Sequence, residues 1–113
     1  MSTIFNKIIN KEISAKIVYE DDNILAFEDI APKAPIHILI IPKKEIKTLN
    51  DVEQKDAELL GKLILVAKKI AKDKNIDEDG YRLIMNCNEY GGQTVYHIHL
   101  HLIGGKRLSW TPG

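Results

Sequence analysis

Tyr96-His97-Ile98-His99-Leu100-His101-Leu102-Ile103 contains three of the four histidines in this 113-residue chain. A β-strand alternates its faces and rises about 3.3 Å per residue. On such a strand the three imidazoles share one face, and Tyr96, Ile98, Leu100 and Leu102 share the other. Water-facing strand positions favour Thr, Lys or Glu. A buried row of imidazoles costs desolvation unless its ring nitrogens are bonded. The stretch therefore reads as a rigid apolar strand carrying groups that exchange protons near neutral pH.

Outward from it, Asn88 to Thr94 is a loop with adjacent glycines, Gly91 and Gly92, and Tyr81 to Asn86 is a strand. Asn75 to Gly80 is an acidic turn. Val52 to about Lys74 reads as a helix, because Ala57, Leu60, Leu63, Ile64, Ala67, Ile70 and Ala71 recur at helical spacing. Gly61 lowers its helix propensity and allows close packing. His37-Ile38-Leu39-Ile40-Ile41 is a strand apolar on both faces and stopped by Pro42. The loop Ala31 to Pro35 carries Pro32 and Pro35 and cannot join a central ladder. Asn23 to Asp29 and Lys16 to Tyr19 are strands joined by Glu20-Asp21-Asp22. Ile4, Phe5, Ile8 and Ile9 form a short helix capped by Ser2 or Thr3. The chain reads as one domain, residues 1–113, of α+β class: about five mostly antiparallel strands and two helices.

Composition narrows the function classes. The chain has 44% hydrophobic residues, which fits a folded domain. Sixteen basic residues balance sixteen acidic ones, so no global positive field holds a nucleic acid. Lys43-Lys44 and Lys68-Lys69 solvate the surface. Cys87 is the single cysteine, which excludes an intrachain disulfide and a cysteine-rich zinc site. No signal peptide and no bilayer-length apolar run is present, which points to the cytoplasm and away from a membrane.

The histidine row admits three readings. It could be structural. It could bind a metal: His97 and His99 lie about 6.6 Å apart on a strand, near enough for one zinc, with Asp29 or His37 completing the site. His101, about 13 Å from His97, could not join them, and no carboxylate cluster is evident. Third, His99 could attack an electrophile while His97 and His101 orient it and move protons. Phosphorus suits that chemistry. Gly91-Gly92-Gln93-Thr94-Val95 would then cradle a phosphate with backbone N–H groups, an amide and a hydroxyl.

His97-Ile98-His99-Leu100-His101-Leu102-Ile103 matches the His-φ-His-φ-His-φ-φ pattern (φ apolar) of the histidine triad, or HIT, superfamily. The chain resembles its Hint branch of nucleoside phosphoramidases nearly end to end: Ile4-Phe5 with Ile8, Phe27 to Ile30, Ala34 to His37 with Ile41-Pro42-Lys43, Tyr81-Arg82, Asn86, Gly91 to Leu102, and Trp110 to Gly113. That resemblance implies a HIT-like fold whose sheets join across a homodimer. It implies hydrolysis of purine nucleoside 5′-phosphoramidates, with aminoacyl-adenylates as further candidates, to a nucleoside monophosphate and an amine. The path runs through a covalent nucleotidyl-histidine, with no metal or other cofactor.

By the same resemblance His99 attacks the phosphorus, His97 and His101 orient the nucleophile and assist proton traffic, and His37 completes a relay. Asp29 accepts from ribose hydroxyls. Phe27 and Ile30 enclose the purine with Phe5 and Ile8 nearby. Asn86 bonds near the phosphate or ribose, and Gly92, Gln93, Thr94 and Val95 contact the phosphate. Trp110 reaches a partner's leaving group or anchors the dimer. The long helix is a dimer surface, an internal core stripe, or both. Two departures stand out: Thr94 replaces a frequent Ser, and Asn88-Glu89-Tyr90 is a variable stretch where Tyr90 bears on the amine accepted. Dinucleoside polyphosphate hydrolysis, and a regulatory scaffold that binds purine nucleotides, are the alternatives. His101 argues against a nucleotidyl transferase, which has Gln there.

Overall fold

The computed structural model describes residues 3–112; Met1, the alternative cap Ser2 and the final Gly113 lie outside them. Helix α1, Ile4–Ile9, begins at Thr3, whose hydroxyl accepts from the amides of Phe5 and Asn6 while Asn6 returns a bond to the Thr3 amide. This reciprocal cap satisfies donors that a six-residue helix could not satisfy itself. The strands are β1 (Ile17–Glu20), β2 (Ile24–Glu28), β3 (Ile36–Pro42), β4 (Tyr81–Ile84) and β5 (Leu100–Gly104). They form one sheet in the order β1-β2-β3-β5-β4 with every pairing antiparallel.

Helix α2, Ala57–Asp73, packs on one face of the sheet, and α1 lies on the other. The α2 face buries Ile24, Ala26, Ile38, Ile40, Leu100 and Leu102 against Leu63, Val66, Ala67, Ile70 and Ala71. The α1 face buries Leu25, Phe27, Leu39 and Ile41 against Phe5 and Ile8. β2 and β3 are covered on both sides, which is why they read as near-continuous apolar runs. The helix starts later than its apolar pattern suggests, because residues 54–56 wind as a 3-10 turn. Its buried stripe is also rotated: Val66 faces the core, whereas Ile64 is 54% exposed and Ala57 faces solvent. A Cβ at Gly61 would meet no atom within 4 Å, so this glycine packs closely against nothing in its own chain. No helix among the described residues is long and apolar enough to cross a membrane.

The histidine stretch departs most from expectation. β5 begins only at Leu100; residues 95–97 form a bend, and 98–99 lie outside the ladder. The β3–β5 register pairs Ile40 with Leu100, which would bring Pro42 opposite Ile98. Proline has no N–H to give a ladder. The Ile98 amide bonds instead to the Ile46 carbonyl at 2.8 Å. His97 and His99 therefore sit on a shaped entry to the strand, and only His101 lies within it.

Candidate functional site

Sheet register assembles the site on the α1 face. His37 pairs with Ile103, and Ile103 with Arg82, across β3, β5 and β4. The Asp29 amide continues that row by bonding to the His37 carbonyl at 2.9 Å. Two residues along, Phe27, Leu39, His101 and Ile84 form the next row. Four histidines scattered over 65 positions thus meet above one surface. The His99 ring centroid is 5.0 Å from that of His101, and the His101 centroid is 5.2 Å from that of His37. Phe5 from α1 sets its edge against His99 at 5.1 Å and 87°.

Backbone groups that cannot titrate fix the ring protons. The His97 Nε2 lies 2.7 Å from the Pro42 carbonyl oxygen, which only accepts, so Nε2 carries the hydrogen. This leaves the buried His97 Nδ1 without a partner. The His99 Nδ1 lies 2.8 Å from the His97 carbonyl oxygen and must donate, leaving a lone pair on Nε2. At His37 the logic reverses. The Lys33 amide donates to its Nδ1 at 3.1 Å, so Nε2 bears the hydrogen. That hydrogen points to the His101 Nδ1 at 3.0 Å, which accepts and leaves the His101 N–H on Nε2. Asp29 Oδ2 stands 3.4 Å from the same His37 nitrogen.

Burial favours these neutral forms. It pulls His37, His97 and His99 below the ordinary histidine range, and the Asp29 carboxylate opposes this at His37 and His99 without overcoming it. His101 is lowered furthest, to about 4, by burial first and then by its neighbours His99 and His37. At neutral pH the cluster is a chain of oriented, uncharged imidazoles. It leaves a lone pair at His99 Nε2, a second at the buried His97 Nδ1, and an N–H at His101 Nε2.

Asp29, His37 and His101 bring ligand atoms within 4.8 Å of one another. Their bonding does not suit a divalent cation. A metal on His37 Nε2 would displace its proton while Nδ1 still accepts the Lys33 amide, which demands an imidazolate or a broken backbone bond.

The glycine loop is built differently from expectation. Gly91, Gly92 and Gln93 spend their amides on the carbonyls of Asn88 and Glu89. The Gln93 side chain turns inward, accepting from the Asn88 amide and donating to the Lys47 and Val95 carbonyls. It fastens the loop instead of presenting an amide to an anion. Asn86 Nδ2 donates to the Gly91 carbonyl at 2.7 Å. A Cβ on Gly91 would collide with the Cys87 backbone, and Gly92 needs φ +82°, so both glycines are required by the turn. Among the described residues, the amides of Thr94 and Val95 make no intrachain bond. Thr94 is exposed and Val95 half-buried.

Phe27 is a core group, 3% exposed beneath Phe5, rather than an open wall for a base. Ile30 is 95% exposed. It lines an open cleft of about 530 Å³ with Asp29, Glu28 and the segment Ser14-Ala15-Lys16, whose place here the sequence did not reveal. A larger cleft of about 630 Å³ lies by Asp79, Arg82 and Arg107 and includes none of the histidines. Trp110 is 84% exposed. Sequence reasoning also missed the Lys33 amide and the Pro42 carbonyl; the one available signal was that Pro42 ends a ladder and leaves a carbonyl to be claimed.

Residues 10–108 match the HIT domain. Over 106 residues, the chain is 59% identical to the purine nucleoside phosphoramidase of Escherichia coli (strain K12), covering 94% of this chain and 89% of that protein. Among solved structures, a HIT family hydrolase from Legionella pneumophila superposes with a TM-score of 0.97 at 55% identity, covering 99% of this chain and all of that one. A histidine triad protein from Clostridium difficile gives 0.92 at 46% identity, covering 96% and 97%.

Proposed function

Because this chain belongs to the HIT family, we propose that it is a purine nucleoside phosphoramidase, formed as a single HIT domain over residues 1–113. Its likeness to the enterobacterial enzyme of that name supports the reading. The His99 tautomer carries it: Nδ1–H is held on the His97 carbonyl at 2.8 Å, so the free lone pair is on Nε2. A neutral imidazole oriented in this way attacks phosphorus without first losing a proton. The resulting nucleotidyl-histidine is cationic, and the carbonyl that fixes Nδ1–H stabilises it.

The departing amine needs a proton. An anionic phosphate raises the proton affinity of the His37–His101 pair, so the pair takes up a proton with the substrate. His101 Nε2–H delivers it as the phosphorus–nitrogen bond breaks. In the second step water attacks phosphorus, the pair receives the water's proton, and His99 leaves neutral. His97 keeps the segment in register through Pro42. No step requires a metal.

Asp29 accepts from the ribose hydroxyls. Ile30 covers the purine, backed by Phe5 and Phe27. The Thr94 amide and hydroxyl and the Val95 amide bind phosphate oxygens, while Gly92, Gln93 and Asn86 shape that loop. The chain works as a cytoplasmic homodimer. Gly61, Ile64 and Leu65 form an exposed face of α2, and β4 offers an open sheet edge beside it. Trp110 of each copy then reaches the leaving-group side of its partner's site.

A fluorogenic adenosine phosphoramidate tests this on wild type and His99→Ala, with nucleotide binding measured in parallel. Loss of the nucleophile lowers turnover by about 1000-fold or more while binding persists. Equal rates in the two proteins would leave a nucleotide-binding scaffold.

A further inference from the structure

The His37–His101 pair can take up an extra proton at one atom only. His37 Nδ1 is engaged by the Lys33 amide at 3.1 Å, and His37 Nε2 and His101 Nε2 already carry hydrogens. That leaves His101 Nδ1, which accepts the His37 Nε2–H at 3.0 Å. A proton there turns two N–H groups on each other, and the His37 hydrogen then needs another acceptor.

Asp29 Oδ2 is an acceptor within reach. It stands 3.4 Å from His37 Nε2, and ligand atoms of Asp29, His37 and His101 all lie within 4.8 Å of one another. The carboxylate is held in place by its backbone and its loop. The Asp29 amide bonds to the His37 carbonyl at 2.9 Å. Its Oδ1 accepts from the Ala31 amide at 2.8 Å, and two residues later the same loop gives the Lys33 amide to His37.

The other charged groups about the pair do not serve. Lys33 is a cation and opposes a charge on His37. His99 and His37 oppose one on His101. Arg82 shares a cross-strand row with His37 through Ile103, but its guanidinium donates to the Ser109 carbonyl. Phe5, the α1 side chain set against His99, is uncharged. The Asp29 carboxylate favours the charged ring at His37, His99 and His101 alike.

We propose that Asp29 is a positioning residue for the proton relay as well as a ribose ligand: when His101 Nδ1 gains a proton, the His37 Nε2–H turns from it to Asp29 Oδ2. This rests on the phosphoramidase reading. His101 is then an imidazolium. Its Nε2–H passes to the amine nitrogen as the His99–phosphorus bond forms and the phosphorus–nitrogen bond breaks. His101 keeps the hydrogen on Nδ1, so Nε2 is open to the proton of the attacking water. One carboxylate thereby joins nucleoside recognition to acid catalysis.

Asp29→Asn tests this. It keeps an oxygen for the Ala31 amide and turns an N–H toward His37, so acceptor and charge are lost at nearly constant shape. Asp29→Ser also caps the turn without a charge and guards against one variant failing to fold. Single-turnover release isolates the first bond cleavage. One substrate, an adenosine 5′-phosphoramidate of an alkylamine, needs a proton on its leaving nitrogen. The other, adenosine 5′-(4-nitrophenyl) phosphate, releases a phenolate that needs none. In wild type the amine rate falls as pH rises past the point where the bound pair loses its proton. In either variant that limb moves to lower pH by about one unit, and above it the amine rate drops about tenfold further than the nitrophenolate rate. Lost ribose contact lowers both rates together and cancels in the ratio. A 2′,3′-dideoxyadenosine phosphoramidate on wild type weakens binding and leaves the limb in place. Nitrogen–proton NMR with adenosine monophosphate bound reads the same downward shift in the titration of the pair without turnover.

An unchanged ratio of the two rates, or a limb that stays put in both variants, would confine Asp29 to the ribose and overturn the proposal. So would a limb that moves as far with the dideoxy substrate as in Asp29→Asn, because the effect would then come through the ribose. Failure of wild type to cleave either substrate would sink the phosphoramidase reading instead, and the titration with nucleotide bound would still decide whether Asp29 holds the proton on the pair.

Discussion

Acid should unfold this protein partly through His101. In the folded state its Nδ1 accepts from the His37 Nε2–H at 3.0 Å, and its pKa is lowered to about 4. A second proton on His101 would set two N–H groups against each other in a buried cluster. In the unfolded chain the ring titrates near its ordinary value of about 6.5. Between those values the unfolded state binds more protons, so stability rises with pH through the window. The contribution is complete above about pH 6.5 and is lost as pH falls toward about 4. Between pH 7 and about pH 4.5 that difference amounts to about 2 kcal/mol, and solvent screening at a partly exposed ring reduces it to roughly 1.5. Urea titrations across that range, on wild type and His101→Gln, measure it. Glutamine keeps an acceptor for His37 and cannot titrate. The wild-type curve should fall more steeply by roughly 1.5 kcal/mol, while the remaining histidines give the variant a shallower slope of the same sign. Parallel curves, or wild-type stability that does not change with acid, would refute the neutral-chain account of the site.

Two further outcomes follow from the same geometry. Long-range nitrogen–proton NMR at neutral pH should show Nε2–H tautomers at His37, His97 and His101 and an Nδ1–H tautomer at His99; an Nε2–H signal from His99 would contradict the proposal that its Nε2 lone pair attacks phosphorus. Phe5→Ala, which empties a 5%-exposed ring site between Phe27 and His99, should lower unfolding free energy by about 3–5 kcal/mol in a urea melt. It should also raise the His99 pKa toward its ordinary value, since burial is what lowers it.

Periodicity carried most of the fold into the sequence. Apolar runs bounded by Pro42 and by the Asp21 turn specify strands, and the Asp21 carboxylate does cap that turn by accepting from the Asn23 and Ile24 amides. Element ends were less legible, because they depend on where a partner stops pairing. The 96–103 run shows this best: its alternation is genuine, but the ladder needs donors from β3, and Pro42 supplies none. The α2 stripe shows a second limit. Ile64 and Val66 are both apolar, and only the position of the sheet decides which of them is buried.

The chain's own letters determined which chemistry was available: three imidazoles at alternate positions, a fourth on a strand, a glycine loop beside them, and no thiol cluster or positive field to support a rival. They could not assign a proton to any ring, because each assignment depends on which backbone group the fold turns toward that ring. The Lys33 amide, the Pro42 carbonyl and the His97 carbonyl decided those, and only folding brings the first two to their histidines. Gln93 makes the same point. Its amide suits an anion on paper, and tertiary structure turned it inward, because the loop it closes left buried backbone groups that needed partners first.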